Sequence, residues 1–206
     1  MSRHSPDFHP ALRLIHWLMV AMVFTMLFVG VGMVSTVGPT YLTLLDLHRP
    51  LGIAILVLVL IRLPLRLATG APALPEDLPL LQKRIAWGSH VLLYLTLFTL
   101  PLIGWAMLSA GGYPIHVTRD LSLPPILPHD LGLYAFLRVA HTTVAILFFA
   151  LILGHLAAAL MHGLIRRDGV LRSMTIGHAR VPTPDVPETP DAPGDDIAEE
   201  PASLPA

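Results

Sequence analysis

Four histidines lie where the sequence is otherwise apolar. His16, His48, His141 and His155 each fall within or at the edge of a long hydrophobic segment. An imidazole inside a bilayer is costly and needs a partner, so a histidine in such a segment indicates a functional site. Histidine is a common axial ligand of haem iron. Two pairs at two depths would therefore hold two haems, stacked across a membrane.

The spacing of the last two histidines indicates that they share one helix face. His141 and His155 are 14 positions apart, which on an α-helix leaves them about 40° apart around the axis and about 21 Å apart along it. A helix with ligands at these two levels would present one to each haem. Helix bundles build cofactor sites in this way, from inward side chains on facing helices.

Four apolar segments must position these histidines. A helix crosses a hydrocarbon core of about 30 Å with roughly 20 residues, and each segment meets that length. The segments cover about residues 11–37, 42–67, 80–110 and 131–166. The sequence therefore predicts an all-α fold, a transmembrane four-helix bundle that encloses two haems.

The composition agrees with a membrane protein and excludes several other classes. Of the 206 residues, 54% are hydrophobic and 13% are charged, with a mean hydropathy of +0.68; in soluble domains about a quarter of the residues are charged. A net charge of -1 argues against a nucleic-acid surface. Because cysteine is absent, disulfides, iron–sulfur clusters and covalent haem attachment are excluded. Any haem would be of the b type.

The basic residues set the predicted orientation. Ten of the thirteen arginines and lysines fall on one side of the membrane and three on the other, which by the positive-inside rule places both termini in the cytoplasm. The predicted outer connections are 38–47 and 111–130. On this orientation, depth pairs His16 with His155 near the inner surface and His48 with His141 near the outer surface.

Two other histidines compete for these roles. His90 on the third segment and His162, seven positions after His155, lie near the inner side. Either could replace His16 or His155 as a ligand, contact a quinone, or serve only as an interfacial polar residue. Imidazole suits a quinone contact because it donates or accepts a hydrogen bond and carries a proton. Zinc is an alternative occupant of a histidine pair, but it would need three or four close ligands.

The composition changes abruptly near the end of the chain. Seven of the fourteen acidic residues and seven of the twenty prolines lie in the last 26 positions. Such a segment buries too little apolar surface to offset the entropy of ordering it. We therefore predict a membrane domain over residues 1–176 and a disordered, acidic, proline-rich cytoplasmic tail over residues 177–206.

The histidines recur within longer stretches that resemble the bacterial cytochrome b561 family. The stretches are LRLIHWLMV, LHRPLGIAILVLVLIRLPLRL, HVLLYLTLFTLPLIGWAMLSAGG and LRVAHTTVAILFFALILGHLAAALMHGLIRRDGVLRSM, within about residues 8–176. The resemblance implies a four-helix inner-membrane protein that holds two b haems on His16, His48, His141 and His155. The acidic tail departs from the short basic end typical of the family, and a partner could bind there.

The resemblance also implies a reaction. Two histidines on each iron leave no open coordination position, which favours outer-sphere electron transfer. In the family pattern, periplasmic superoxide gives up an electron at the outer haem and ubiquinone takes electrons at the inner side. Arg49, Arg119 and Arg138 on the outer side could attract the superoxide anion, or they are simple interfacial anchors.

Two other functions stay open from the sequence. A b-type membrane anchor subunit would pass electrons between a periplasmic dehydrogenase or hydrogenase and the quinone pool, with that redox protein as its partner. The predicted outer loops are short and offer no evident docking extension for it. A non-redox scaffold or transporter would have to explain four depth-matched histidines without haem.

Overall fold

Four long helices make up most of the chain. The computed structural model describes residues 7–117 and 121–177. Its elements are α1 (Pro10–Ser35), α2 (Pro39–Thr69), α3 (Leu80–Ala110), the short strands β1 (Ile115–His116) and β2 (Ser122–Leu123), α4 (Leu131–Leu160), a π-helical turn (Met161–Arg166) and α5 (Val170–Met174). Each of the four long helices is long and apolar enough to cross a membrane. The predicted all-α, four-helix membrane fold is confirmed.

The turn between α1 and α2 is tighter than the sequence predicts. We expected an outer connection over 38–47, but α2 begins at Pro39, directly after Gly38 with its φ of 72°. Proline suits the first turn of a helix because its missing N–H has no partner there in any case, and glycine adopts the positive φ without a steric penalty. His48 lies nine positions after the first residue of α2, inside the helix.

A small antiparallel hairpin closes the other connection on the same side. In the predicted loop 111–130, Ile115 pairs with Leu123 and His116 with Ser122. The loop leads into α4, whose first turn is capped by Asp130: its carboxylate accepts a hydrogen bond from the backbone N–H of Leu133 at 2.9 Å. We call this side of the bundle the hairpin end.

The bundle has apolar side chains on its outside as well as in its core. Helix α1 packs against α2, α2 against α3, and α3 against α4. Many large hydrophobic side chains of these helices are exposed, including Phe28, Trp87 and Phe136, which suits contact with lipid. The buried core lies midway along the helices and consists of Met19, Val23, Ile55, Leu56, Val59, Leu97 and Phe148.

The end opposite the hairpin is rich in arginine and is folded back on itself. We call it the basic end; it carries Arg13, Arg62, Arg66, Lys83, Arg84, Arg166 and Arg167. After the π-helical turn, α5 lies against the start of α1. Trp17 Nε1 donates to the carbonyl of Met174 at 3.1 Å, and Arg13 to that of Thr175 at 3.3 Å. The predicted tail, apart from Gly177, lies outside the described residues.

Candidate functional site

At the hairpin end, α2 and α4 place two of the predicted ligands opposite each other. The ring centroids of His48 and His141 are 6.1 Å apart, with their planes at 66°. Gly104 on α3 lies against this pair, since a Cβ there would be in contact with Cε1 of His141 at 3.4 Å. The structure therefore brings together the pair that depth alone predicts for the outer site.

The spacing of this pair fits two imidazoles that share one metal ion. Such rings have centroids about 6 Å apart, because each metal–nitrogen bond is about 2 Å and each ring nitrogen lies about 1 Å from its centroid. The Nδ1 atoms of both rings are buried and have no hydrogen-bond partner within the described residues. Buried polar atoms rarely stay unpaired in the functional state. The residues present at this end thus fit a group that fills the space between the helices.

At the basic end, three histidines from three helices lie close together. His155 on α4 has its ring 5.5 Å from that of His90 on α3, at an angle of 82°. His16 on α1 lies within electrostatic range of both, and its own ring contact is with Trp17 at 5.8 Å. The structure thus brings His16, the predicted partner of His155, into the same cluster as its competitor His90.

His90 forms a hydrogen bond with the backbone of its own helix. Its Nδ1 lies 2.6 Å from the backbone carbonyl of Ala86, one turn earlier on α3. A carbonyl only accepts, so Nδ1 carries the hydrogen and donates it. The 5.5 Å between His90 and His155 is also shorter than the spacing of about 6 Å expected for two imidazoles on one ion.

Each histidine group has an arginine beside it. Arg49 follows His48, and Arg62 lies within electrostatic range of His16 and His155. The Nε atoms of both arginines are buried without a hydrogen-bond partner in the described part of the chain. The guanidinium of Arg62 lies over the ring of Tyr94 at 5.5 Å. Neither Tyr94 nor Arg62 was singled out from the sequence, where an arginine near a helix end indicates only an interfacial anchor.

Beyond the cluster, His162 belongs to a network of charged groups. Its Nδ1 lies 2.6 Å from Asp168 Oδ2, and Arg166 Nε donates to the same oxygen at 3.0 Å. Arg166 also reaches the exposed Asp77 at 2.5 Å. The side chains of His162 and Asp168 are 13% and 11% exposed. They line a cavity of about 680 Å³ with Arg167, Leu171 and Arg172 among its other walls.

The hydrogen bonds of Asp168 keep it ionised. Burial alone would raise its pKa, but the hydrogen bonds from His162 and Arg166 outweigh burial and hold the pKa below its ordinary value. The stabilisation that this carboxylate contributes is therefore present at neutral pH and is lost only as the pH falls through the lowered pKa. An ionised carboxylate only accepts, so Nδ1 of His162 donates its hydrogen and the lone pair of Nε2 can accept a proton.

The three arginines predicted to attract an anion lie in different settings. Arg138 is exposed on α4 and Arg49 is half-buried on α2. Arg119 lies outside the described residues. Within 7–117 and 121–177, no three His, Asp or Glu side chains form a cluster that could hold a metal ion by themselves. A cofactor whose metal ion needs only two protein ligands does not require such a cluster, and a pair of histidines is enough to hold it.

The fold and the site together define a class of protein. Histidines paired at two depths inside a four-helix membrane bundle are characteristic of membrane-bound b-type cytochromes, in which helices supply axial ligands from facing positions.

Comparison of the sequence with known protein families identifies the family to which the chain belongs. The family model described as prokaryotic cytochrome b561 matches residues 7–177. The chain therefore belongs to the prokaryotic cytochrome b561 family, which confirms the resemblance noted in the sequence. Membership implies b-type haem as the cofactor and membrane electron transfer as the function.

Individual relatives agree with this assignment. The chain is 28% identical to cytochrome b561 homolog 1 of Escherichia coli over 168 residues, which is 78% of this chain and 92% of the relative. It is 31% identical to cytochrome b561 homolog 2 of the same organism over 163 residues, 77% and 86% of the two chains. It is 30% identical to a probable superoxide oxidase CybB of Yersinia pestis over 133 residues, 62% and 72% of the two chains.

Proposed function

We propose that the chain is a superoxide:ubiquinone oxidoreductase of the bacterial inner membrane with two b haems. His48 and His141 would ligate the haem at the hairpin end, and His16 and His155 the one at the basic end. The observation that carries the proposal is the facing pair His48 and His141, whose rings are 6.1 Å apart and whose buried Nδ1 atoms are unpaired in the described structure.

The ligand set favours electron transfer over oxygen chemistry. Haem supplies one-electron redox chemistry when bound, and two axial histidines leave substrates no open coordination position. The helices hold the two ligand groups at separate depths and keep water out with the apolar core between them, among others Met19, Val59 and Phe148. The chain itself therefore sets the spacing and the dry surroundings of the electron path.

For the basic end we favour His16 over His90 as the partner of His155. Depth along the helices pairs His16 with His155, the side chain of His90 is exposed, and the ring of His90 lies closer to that of His155 than the spacing of about 6 Å that a shared ion requires. His90 then stays available, with His162, for contact with a quinone.

At the hairpin end the substrate would be superoxide. Each superoxide anion gives up one electron and leaves as dioxygen. The exposed guanidinium of Arg138 could attract the anion by electrostatic steering, together with Arg49 and Arg119. The name of the Yersinia relative, a probable superoxide oxidase, supports this choice of donor.

At the basic end the substrate would be ubiquinone. It takes two electrons and two protons to become ubiquinol, so two superoxide anions are oxidised for each quinone. His162 suits the transfer of a proton, because Asp168 holds its Nδ1 hydrogen at 2.6 Å and leaves Nε2 to receive or give a proton. The cavity beside this pair, about 680 Å³, is large enough for a ring-sized molecule.

The orientation follows from the charge distribution. We propose that the basic end faces the cytoplasm, by the positive-inside rule, with both termini there and the hairpin in the periplasm. Residues 1–176 would form the membrane domain. Residues 177–206 would form an acidic cytoplasmic tail that is available to a redox protein or another partner.

One experiment separates this reaction from its main rival. The purified protein, held without oxygen, is mixed with potassium superoxide with and without ubiquinone, and haem reduction is followed optically. We expect rapid reduction by superoxide and reoxidation on adding quinone. A membrane anchor of a periplasmic dehydrogenase or hydrogenase would instead be reduced slowly by superoxide and rapidly by its protein partner, and that result would reject our proposal.

A further inference from the structure

Two half-buried arginines each have a buried Nε atom without a hydrogen-bond partner in the described part of the chain. Nε of Arg49, next to His48, and Nε of Arg62, beside His16 and His155, are buried and unpaired among the described residues. The ion pairs between side chains of the described residues join Arg166 and His162 to aspartates, and neither Arg49 nor Arg62 takes part in them. The recorded contact of Arg62 is the ring of Tyr94.

The helices themselves cannot supply the missing anions. Asp46 is the one acidic residue in α1 to α4, and its side chain is exposed. A charged group inside the membrane region almost always pairs with another group, and a buried N–H donor without a partner is unfavourable. The arrangement repeats at both ends of the bundle, with one such arginine beside each histidine group. A ligand that brings an anion to each end would therefore complete both sites.

We propose that Arg62 and Arg49 each donate hydrogen bonds to a propionate of the neighbouring haem. Haem b carries two propionates, and a guanidinium matches a carboxylate with two parallel N–H donors. This inference rests on the two-haem binding proposed above. It also assigns Arg49 to the cofactor, so that the steering of superoxide falls mainly on Arg138, which is exposed.

A charge near a redox centre shifts the midpoint potential of that centre. Measuring the potential therefore tests the proposal without an assay of turnover. In the low dielectric of the bundle, removing a positive charge leaves a propionate uncompensated and disfavours the added electron. In a redox titration of the purified holoprotein, Arg62→Gln should lower the midpoint potential of one haem and leave the other unchanged. Arg49→Gln should do the same to the other haem, so each variant is a control for the second.

Two further variants separate charge from packing. Arg62→Lys keeps the charge and should recover most of the potential. Arg66→Gln removes an arginine one turn further along α2 that lies over the ring of Phe8 at 4.9 Å, and it should change the potential less than Arg62→Gln does. The propionate bending bands in the resonance Raman spectrum should shift in Arg62→Gln and stay in place in Arg66→Gln.

The outcomes distinguish this inference from the function on which it rests. Unchanged potentials and propionate bands in Arg62→Gln and Arg49→Gln, with two haems retained, would overturn the inference. Loss of haem from Arg62→Gln but not from Arg62→Lys would support it, whereas equal loss from both would overturn it. Fewer than two haems in the unaltered protein would instead reject the proposed function.

Discussion

At the basic end, three histidines compete for two ligand positions. The ring that contacts His155 is that of His90, whereas depth along the helices favours His16. His90 donates a hydrogen bond to the backbone of Ala86, and a ring held in this way is well oriented as a metal ligand. The two assignments therefore need a direct comparison.

Replacing each histidine in turn makes that comparison. We expect His16→Ala to retain about one of the two haems, because one axial ligand of the basic-end site is gone. His90→Ala should keep both and change only the rate of quinone reduction. Haem content by the pyridine haemochrome assay measures the result. Loss of a haem from His90→Ala, with His16→Ala unaffected, would make His90 the ligand.

We expect Asp168, which is hydrogen-bonded to His162, to affect proton transfer to the quinone and not haem binding. In Asp168→Asn the amide oxygen can still accept a hydrogen bond, but the negative charge that stabilises a protonated imidazole is lost. Reoxidation of the reduced haems by quinone should slow by about tenfold or more, since general acid–base groups contribute about 10²–10⁴-fold. Stopped-flow spectroscopy measures this rate.

Asp77→Asn is the matched control for Asp168. It weakens the contact between Arg166 and Asp77 and leaves the pair of His162 and Asp168 in place. We expect nearly normal quinone kinetics in this variant. Equal slowing in the two aspartate variants would mean that the network has only a structural role.

At the scale of the elements, the sequence predicts the helices well and their ends less well. Length and hydropathy locate four spans, and the third was predicted with the bounds Leu80–Ala110 that it has in the structure. The start of α2 was predicted about three residues late, at residue 42, although Pro39 is a helix-start signal. The π-helical turn at Met161–Arg166 could not be predicted, since no sequence pattern marks the wider hydrogen bonds of such a turn.

The position of Gly104 on α3 gives a prediction at the same scale. A valine there would press its side chain on the ring of His141, because even a Cβ would lie 3.4 Å from Cε1. We expect Gly104→Val to lose most of the hairpin-end haem. Gly154→Val on α4 is the control, since a Cβ at Gly154 meets nothing within 4 Å. Haem content together with circular dichroism separates loss of the site from loss of the fold, and equal haem contents would contradict the role of Gly104.

At the scale of the whole molecule, sequence spacing could pair the histidines but could not identify the side chains that surround them. The facing pair His48 and His141 follows from helix periodicity and depth. Tyr94 under Arg62 depends on how α2 and α3 pack, and a contact between residues far apart in the chain leaves no periodic signal in a single sequence. Asp168 as the partner of His162 is a local contact, but it depends on the π-helical turn that lies between them.

The charge of the hairpin end makes a prediction about the donor. If Arg138 steers superoxide to this end, reduction of the haems by superoxide should slow as salt is added, because exposed charges are screened over about 8 Å at physiological ionic strength. Arg138→Glu should slow it further at low salt and lose most of the salt dependence. Pulse radiolysis measures the rate. A rate indifferent to both salt and Arg138 would remove the case for steering.

The central claim is that four histidines hold two haems at two depths of one membrane bundle. The most direct test counts haem per chain in the unaltered protein, in His141→Ala and in His155→Ala, by the pyridine haemochrome assay on detergent-purified, folded material. We predict about two haems in the first and about one in each variant, with different potentials for the haem that is left. One haem or none in the unaltered protein, or two haems in either variant, would contradict the claim.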